Sequence, residues 1–83
     1  MRLPAGRYRV SAYLRADREG VGTYLGVSGF KDAPGSTVQA GREWRQESLE
    51  FEVPENTRWV HFAVRPEQRG VIWVDAVQVQ AVQ

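Results

Sequence analysis

Arg9, Tyr13 and Arg15 recur along "RYRVSAYLRA", Tyr24 lies in "VGTYLGVS", and Trp59, His61 and Arg65 are spaced along "RWVHFAVR". In each stretch these residues fall on the row opposite an apolar row, so the pleat of a β-strand would turn them outward together. Flat rings with an apolar face and guanidinium groups that donate in a plane are what a small-ligand site needs to orient a ligand. Arg9, Tyr13, Tyr24, Trp59, His61 and Arg65 are therefore the candidate binding residues. Plainer roles exist for the same side chains. Tyr13 and Tyr24 also suit cross-strand pairs on an ordinary exposed face, Trp59 suits cover for an edge or an oligomer contact, and His61 suits an exposed structural histidine.

Covalent chemistry has few parts to work with. The chain has no cysteine, His61 is its one imidazole, and Ser28, Ser36 and Ser48 stand in no nucleophile-elbow motif. Glu50 and Glu52 share the outward row of one strand with nothing to suggest a facing carboxylate across a cleft, and "GVGTYLG" lacks the spacing of a phosphate-cradling loop. The reading is of a protein that is not an enzyme. A net charge of +1, from 11 basic and 10 acidic residues spread along the chain, lacks the basic footprint of a nucleic-acid binder. No stretch is long and apolar enough to span a bilayer, and no apolar h-region follows Met1, so neither a membrane partner nor a signal peptide is expected.

The residues that do carry chemistry must be held by strands. At 83 residues with 42% hydrophobic content the expectation is one small domain, 1–83, with about five or six strands and no helix. Tyr8, Val10, Ala12 and Leu14 form one inner row, Val21, Thr23, Leu25 and Val27 the next, Leu49, Phe51 and Val53 a third, and Val60, Phe62 and Val64 a fourth. Thr37 to Ala40 is a weaker strand. Turn signals at "LPAG", "ADREG", "KDAPGS", "PENT" and "RPEQRG" separate them, and strands at this spacing predict an antiparallel β-sandwich or barrel with neighbours joined as hairpins. Gly22 and Gly26 on an outward row suggest close approach of another backbone or a ligand. In the closing stretch, "GVIWVDAVQVQAV", the glutamines mark the wet side. That assigns Val71, Trp73, Asp75, Val77 and Val79 to the core and leaves Asp75 a carboxylate in need of a partner. Trp44 is out of phase with the Leu49 row, so that either a β-bulge near Gln46 resets the face or it projects from the other side. Trp44 and Trp73 suit the core better than a ligand site.

"AGRYRVSAYLRA", "YLGVSGFKDAPGSTVQAGREWRQESLEFEVP" and "GVIWVDAVQV" resemble, in that order, successive strands of carbohydrate-binding modules of the galactose-binding-like jelly-roll type. The likeness covers nearly the whole chain and rests on the order and spacing of motifs that are individually weak. It departs from the family at Ala76, where a second aspartate usually stands, and in the strands that normally precede "GRYRVSAYLRA". The resemblance implies a jelly-roll-like, N-terminally truncated β-sandwich, the C-terminal two-thirds of such a module. It implies a sugar binding protein that takes polysaccharide or glycan through outward aromatic residues, in an extracellular or cell-surface setting. The alternative is a structural protein on the same fold, a phage, surface or filament subunit or a spacer. Strand edges left uncovered would favour self-association to an oligomer. No cofactor is expected from the residues themselves. For Asp75 the expected partners are arginine or backbone N–H donors, and the resemblance adds a structural calcium as the metal alternative.

Overall fold

Val10, Ala12, Leu14 and Ala16 are each only 1–2% exposed, and all four project from the same side of the first strand, β1 (Gly6–Ala16). The computed structural model describes residues 1–82 and contains five further strands: β2 (Val21–Ser28), β3 (Gly35–Ala40), β4 (Arg45–Val53), β5 (His61–Pro66) and β6 (Ile72–Ala81). They form two three-stranded antiparallel sheets, β4-β1-β6 and β3-β2-β5, an all-β sandwich in which each sheet buries the apolar row of the other. The inner row of β2, Val21, Thr23, Leu25 and Val27, is buried throughout. It meets Val10 and Phe51 at one end and Ala12 and Leu14 further along. Tyr8 and Phe30 stack on Phe51 with ring centroids 5.9 and 6.5 Å apart. The buried Thr23 hydroxyl donates to the Val21 carbonyl at 2.9 Å, so the one polar side chain in that row is satisfied.

Only β2 and β3 are consecutive strands joined as a hairpin; every other connection crosses from one sheet to the other. The expected hairpin order is corrected on this point, and "RPEQRG" links two sheets rather than two neighbours. Each strand has a single apolar row, and facing another sheet buries that row more completely than lying beside its sequence neighbour does. The corners are pinned by the chain itself. Asp17 N–H donates to the Val71 carbonyl at 3.1 Å, and Val71 N–H returns a bond to Asp17 Oδ1 at 3.2 Å. Met1 and Val60 exchange two hydrogen bonds, of 2.8 and 3.0 Å, which ties the N-terminus beside the start of β5.

The closing strand departs from the sequence expectation. Tyr13 to Ala16 pair with Asp75 to Ile72, and Tyr8 to Ser11 pair with Ala81 to Gln78, with a register shift between Ser11 and Tyr13. One extra residue is therefore accommodated near Asp75 and Ala76, a β-bulge, and Ala76 adopts a φ of 52°. Ahead of the bulge the inner residues are Ile72 and Val74, opposite Ala16 and Leu14; beyond it they are Val77 and Val79. Trp73 and Asp75 thus face outward, opposite Arg15 and Tyr13, and are not core residues. Trp44 is likewise exposed rather than buried. β4 keeps an unbroken register with β1 up to Arg45, and Trp44 projects from the outer side just before it.

These phases make distinct stability predictions. Phe51→Ala removes a ring that is 3% exposed and should cost about 3–5 kcal/mol in chemical denaturation. Phe62→Ala, half-buried on the β5 side, should cost less. The outward Glu50→Ala should cost under about 1 kcal/mol, since its ion pairs with Arg7 and Arg9 are solvent-exposed.

Candidate functional site

The outer face of the β4-β1-β6 sheet is a grid of side chains set by the ladder register. Ser48, Ser11 and Gln78 make its central row, Glu50, Arg9 and Gln80 the next row toward the N-terminal end of β1, and Gln46, Tyr13 and Asp75 the next in the other direction. Around the first two of these rows lies an open hollow of about 490 Å³ lined by Arg9, Ser11, Gln46, Ser48, Glu50, Gln78 and Gln80. Every lining side chain is polar. Glutamine amides and serine hydroxyls each donate and accept, so the hollow can match groups that do the same. Glu50 lies 3.7 Å from Arg7 and 3.8 Å from Arg9, which holds both guanidinium groups beside it on this face.

Three aromatic rings adjoin the hollow from the Tyr13 row onward. Arg15 lies between Trp44 and Trp73, its guanidinium carbon 5.6 and 4.7 Å from their ring centroids, and Tyr13 occupies the next outward position of β1. Tyr13, Trp44 and Trp73 are each 41–46% exposed. The cation–π contacts hold the two indoles beside Arg15 without taking them out of solvent. From Arg15 to Arg9 is six residues of strand, roughly 20 Å at about 3.3 Å per residue. Aromatic platform and polar hollow are thus consecutive parts of one surface.

Of the residues expected from sequence, Arg9 and Tyr13 lie on this face. Tyr24, Arg65 and His61 lie on the outer face of the other sheet, where Tyr24 is opposite Arg65 and Ser28 is opposite His61. There the glycines have a structural reason. Gly26 and Gly35 are paired across β2 and β3, and the Tyr24 ring lies over both, where a Cβ on either would collide with it. Arg65 stacks on that ring at 4.5 Å. The close approach expected at Gly26 is made by the chain's own tyrosine. Trp59, 53% exposed, stands just before β5, near Arg2 and Arg58 and away from both grids.

Trp44, Trp73 and Arg15 complete the aromatic end; alternation alone places Trp73 in the core, whereas Trp44, out of phase with the Leu49 row, projects from the other side. A signal for Trp73 was present in "IWVDAVQV". Taking Ile72, Val74, Val77 and Val79 as the inner residues gives an all-aliphatic row broken by a two-residue gap at Asp75–Ala76, which is the mark of a bulge. Asp75 Oδ1 accepts a hydrogen bond from Ala76 N–H at 2.8 Å, so its partner is the backbone at the bulge. Among the described residues no group of three or more His, Asp or Glu side chains is placed to hold a metal ion.

No family model matches the chain, and neither a characterised protein nor a solved structure matches it.

Ala76 is a non-glycine residue in the left-handed region, where a Cβ carries a penalty of about 1 kcal/mol. Ala76→Gly should therefore leave stability unchanged or raise it by up to about 1 kcal/mol in thermal or urea unfolding. Ala76→Val should lower it by more than that.

Proposed function

We propose that this chain is a non-catalytic carbohydrate-binding domain whose site is the outer face of the β4-β1-β6 sheet. The observation that carries the reading is the adjacency of three exposed rings to a wholly polar hollow on one sheet face. Sugars present apolar C–H faces and hydroxyls that both donate and accept, and a stacking platform beside amides and hydroxyls matches the two together. The charges on this face balance, with Arg7, Arg9 and Arg15 against Glu50, Glu52 and Asp75, so the ligand is an uncharged glycan. The length of the face favours a short run of a polysaccharide over a single ring. Its openness favours weak binding, because little of the ligand is enclosed. Asp75 serves the bulge through its bond from Ala76 N–H.

Affinity electrophoresis through gels containing neutral polysaccharides tests this reading. Retardation by at least one of them is expected, reduced about tenfold or more in apparent affinity by Trp73→Ala or Trp44→Ala, which corresponds to roughly 1.4 kcal/mol. Trp59→Ala should leave it unchanged. Absence of retardation across a panel of glucans, mannans, xylans and galactans would overturn the proposal. The structural-subunit reading of the same fold is favoured by a different observation, the apolar residues left uncovered along β6.

A further inference from the structure

The two outer strands of the β4-β1-β6 sheet are not alike. On β4 the inner residues Phe51 and Val53 are 3% and 1% exposed, whereas on β6 the inner residues Val74 and Val77 are 42% and 51% exposed. The backbone of β6 is also open on that side. Val82 N–H bonds to the Arg7 carbonyl at 2.9 Å and Asp17 N–H to the Val71 carbonyl, which sets the alternation of the ladder. Residues 73, 75, 78 and 80 direct their N–H and C=O groups toward β1, and Ile72, Val74, Val79 and Ala81 direct theirs to the free edge. Val74 and Val77 thus expose inner side chains along an edge on which the backbone groups of Ile72, Val74, Val79 and Ala81 have no neighbouring strand. β6 contains no lysine, arginine or proline to discourage pairing, and its single charge, Asp75, points outward.

We propose that β6 pairs antiparallel with β6 of a second copy of this chain, about a twofold axis beside Gln78. Any strand pairing on this edge must keep inner residues facing inner residues, and the phase change at Asp75–Ala76 confines it to the segment from Val77 to Ala81. Within that segment a twofold at Gln78 places Val77 opposite Val79 of the second copy and Gln78 opposite its own equivalent. Apolar residues then meet apolar residues, amide meets amide, and no like charges oppose, so the edge is complementary to itself. The result is a continuous six-stranded sheet. It covers the Val77 and Val79 side chains and supplies partners for the edge-directed backbone groups of Val79. The case for this pairing does not rest on the glycan reading, although Gln78 at the axis also lines the hollow.

Sedimentation velocity on the full chain across the micromolar range should show a monomer–dimer equilibrium. Gln78→Lys, an exposed outward change that leaves the inner packing untouched, puts like charges face to face at the axis and should raise the dimer dissociation constant at least about tenfold, a change of 1.4 kcal/mol. Val77→Lys and Val77→Glu should each be monomeric alone and dimerise when mixed, a recovery that misfolding could not produce. Gln39→Lys, on β3, should dimerise like the unaltered chain. A monomer throughout the range overturns the proposal, as does dimerisation that Gln78→Lys and Val77→Lys leave intact. Uptake of an added alternating apolar strand peptide by a persistent monomer overturns it too, and assigns the edge to another chain.

Discussion

The burial of Val10, Ala12, Leu14 and Ala16 is the constraint on which the rest of the structure depends. A strand has two faces, and a shift of one residue would drive Arg9, Tyr13 and Arg15 into the sandwich and put the aliphatic row in water. That slip would desolvate two guanidinium groups with no partners inside. β1 is consequently held in one phase, and because it is central it sets the phase of β4 and β6 on either side. The grid of polar and aromatic side chains on the outer face is the other half of the same constraint.

The two outer faces answer differently to their backbones. On the β3-β2-β5 sheet, Gly26 and Gly35 leave a shallow bed that the Tyr24 ring fills, with Arg65 over it, so both sides of that ring are occupied within the chain. On the β4-β1-β6 sheet no glycine occupies the outward row of β1, and the rings at its end are separated by a guanidinium rather than collapsed on the backbone. This leaves Trp44 and Trp73 partly exposed and next to a hollow with no apolar lining. The exposed aromatics of this protein are therefore not equivalent. Tyr13, Trp44 and Trp73 stand open beside amides and hydroxyls, and Tyr24 is engaged in covering glycine backbone.

The bulge at Asp75–Ala76 connects these features. By inserting a residue opposite Ala12, it turns Trp73 and Asp75 out of the sandwich and keeps Val77 and Val79 on its inner side, so β6 adds an indole to one end of the outer face and two amides to the hollow. The Asp75 carboxylate caps the left-handed Ala76 N–H, which stabilises the local geometry that makes this possible. The bulge also shortens the stretch of β6 that can pair in phase with a further strand.

Alternation by itself determined most of the strands. The inner rows of β1, β2, β4 and β5 follow from residues two apart, and the outward placement of Arg9, Tyr13 and Glu50 follows with them, because the pleat is a local property of the chain. The six-strand sandwich follows from the number and spacing of those rows. Which strands become neighbours does not, since β1 lies between β4 and β6, more than thirty and fifty residues away in sequence, and only packing of one sheet on the other selects them. The same distance explains Trp44, Trp73 and Asp75. Their outward positions depend on a ladder with β1 and on a bulge formed by that pairing, so a strict period of two assigned Trp73 and Asp75 to the wrong face. Tertiary structure alone gathered Tyr13, Trp44 and Trp73 at one end of a polar hollow, because three separate segments become one surface only when their backbones hydrogen-bond in register.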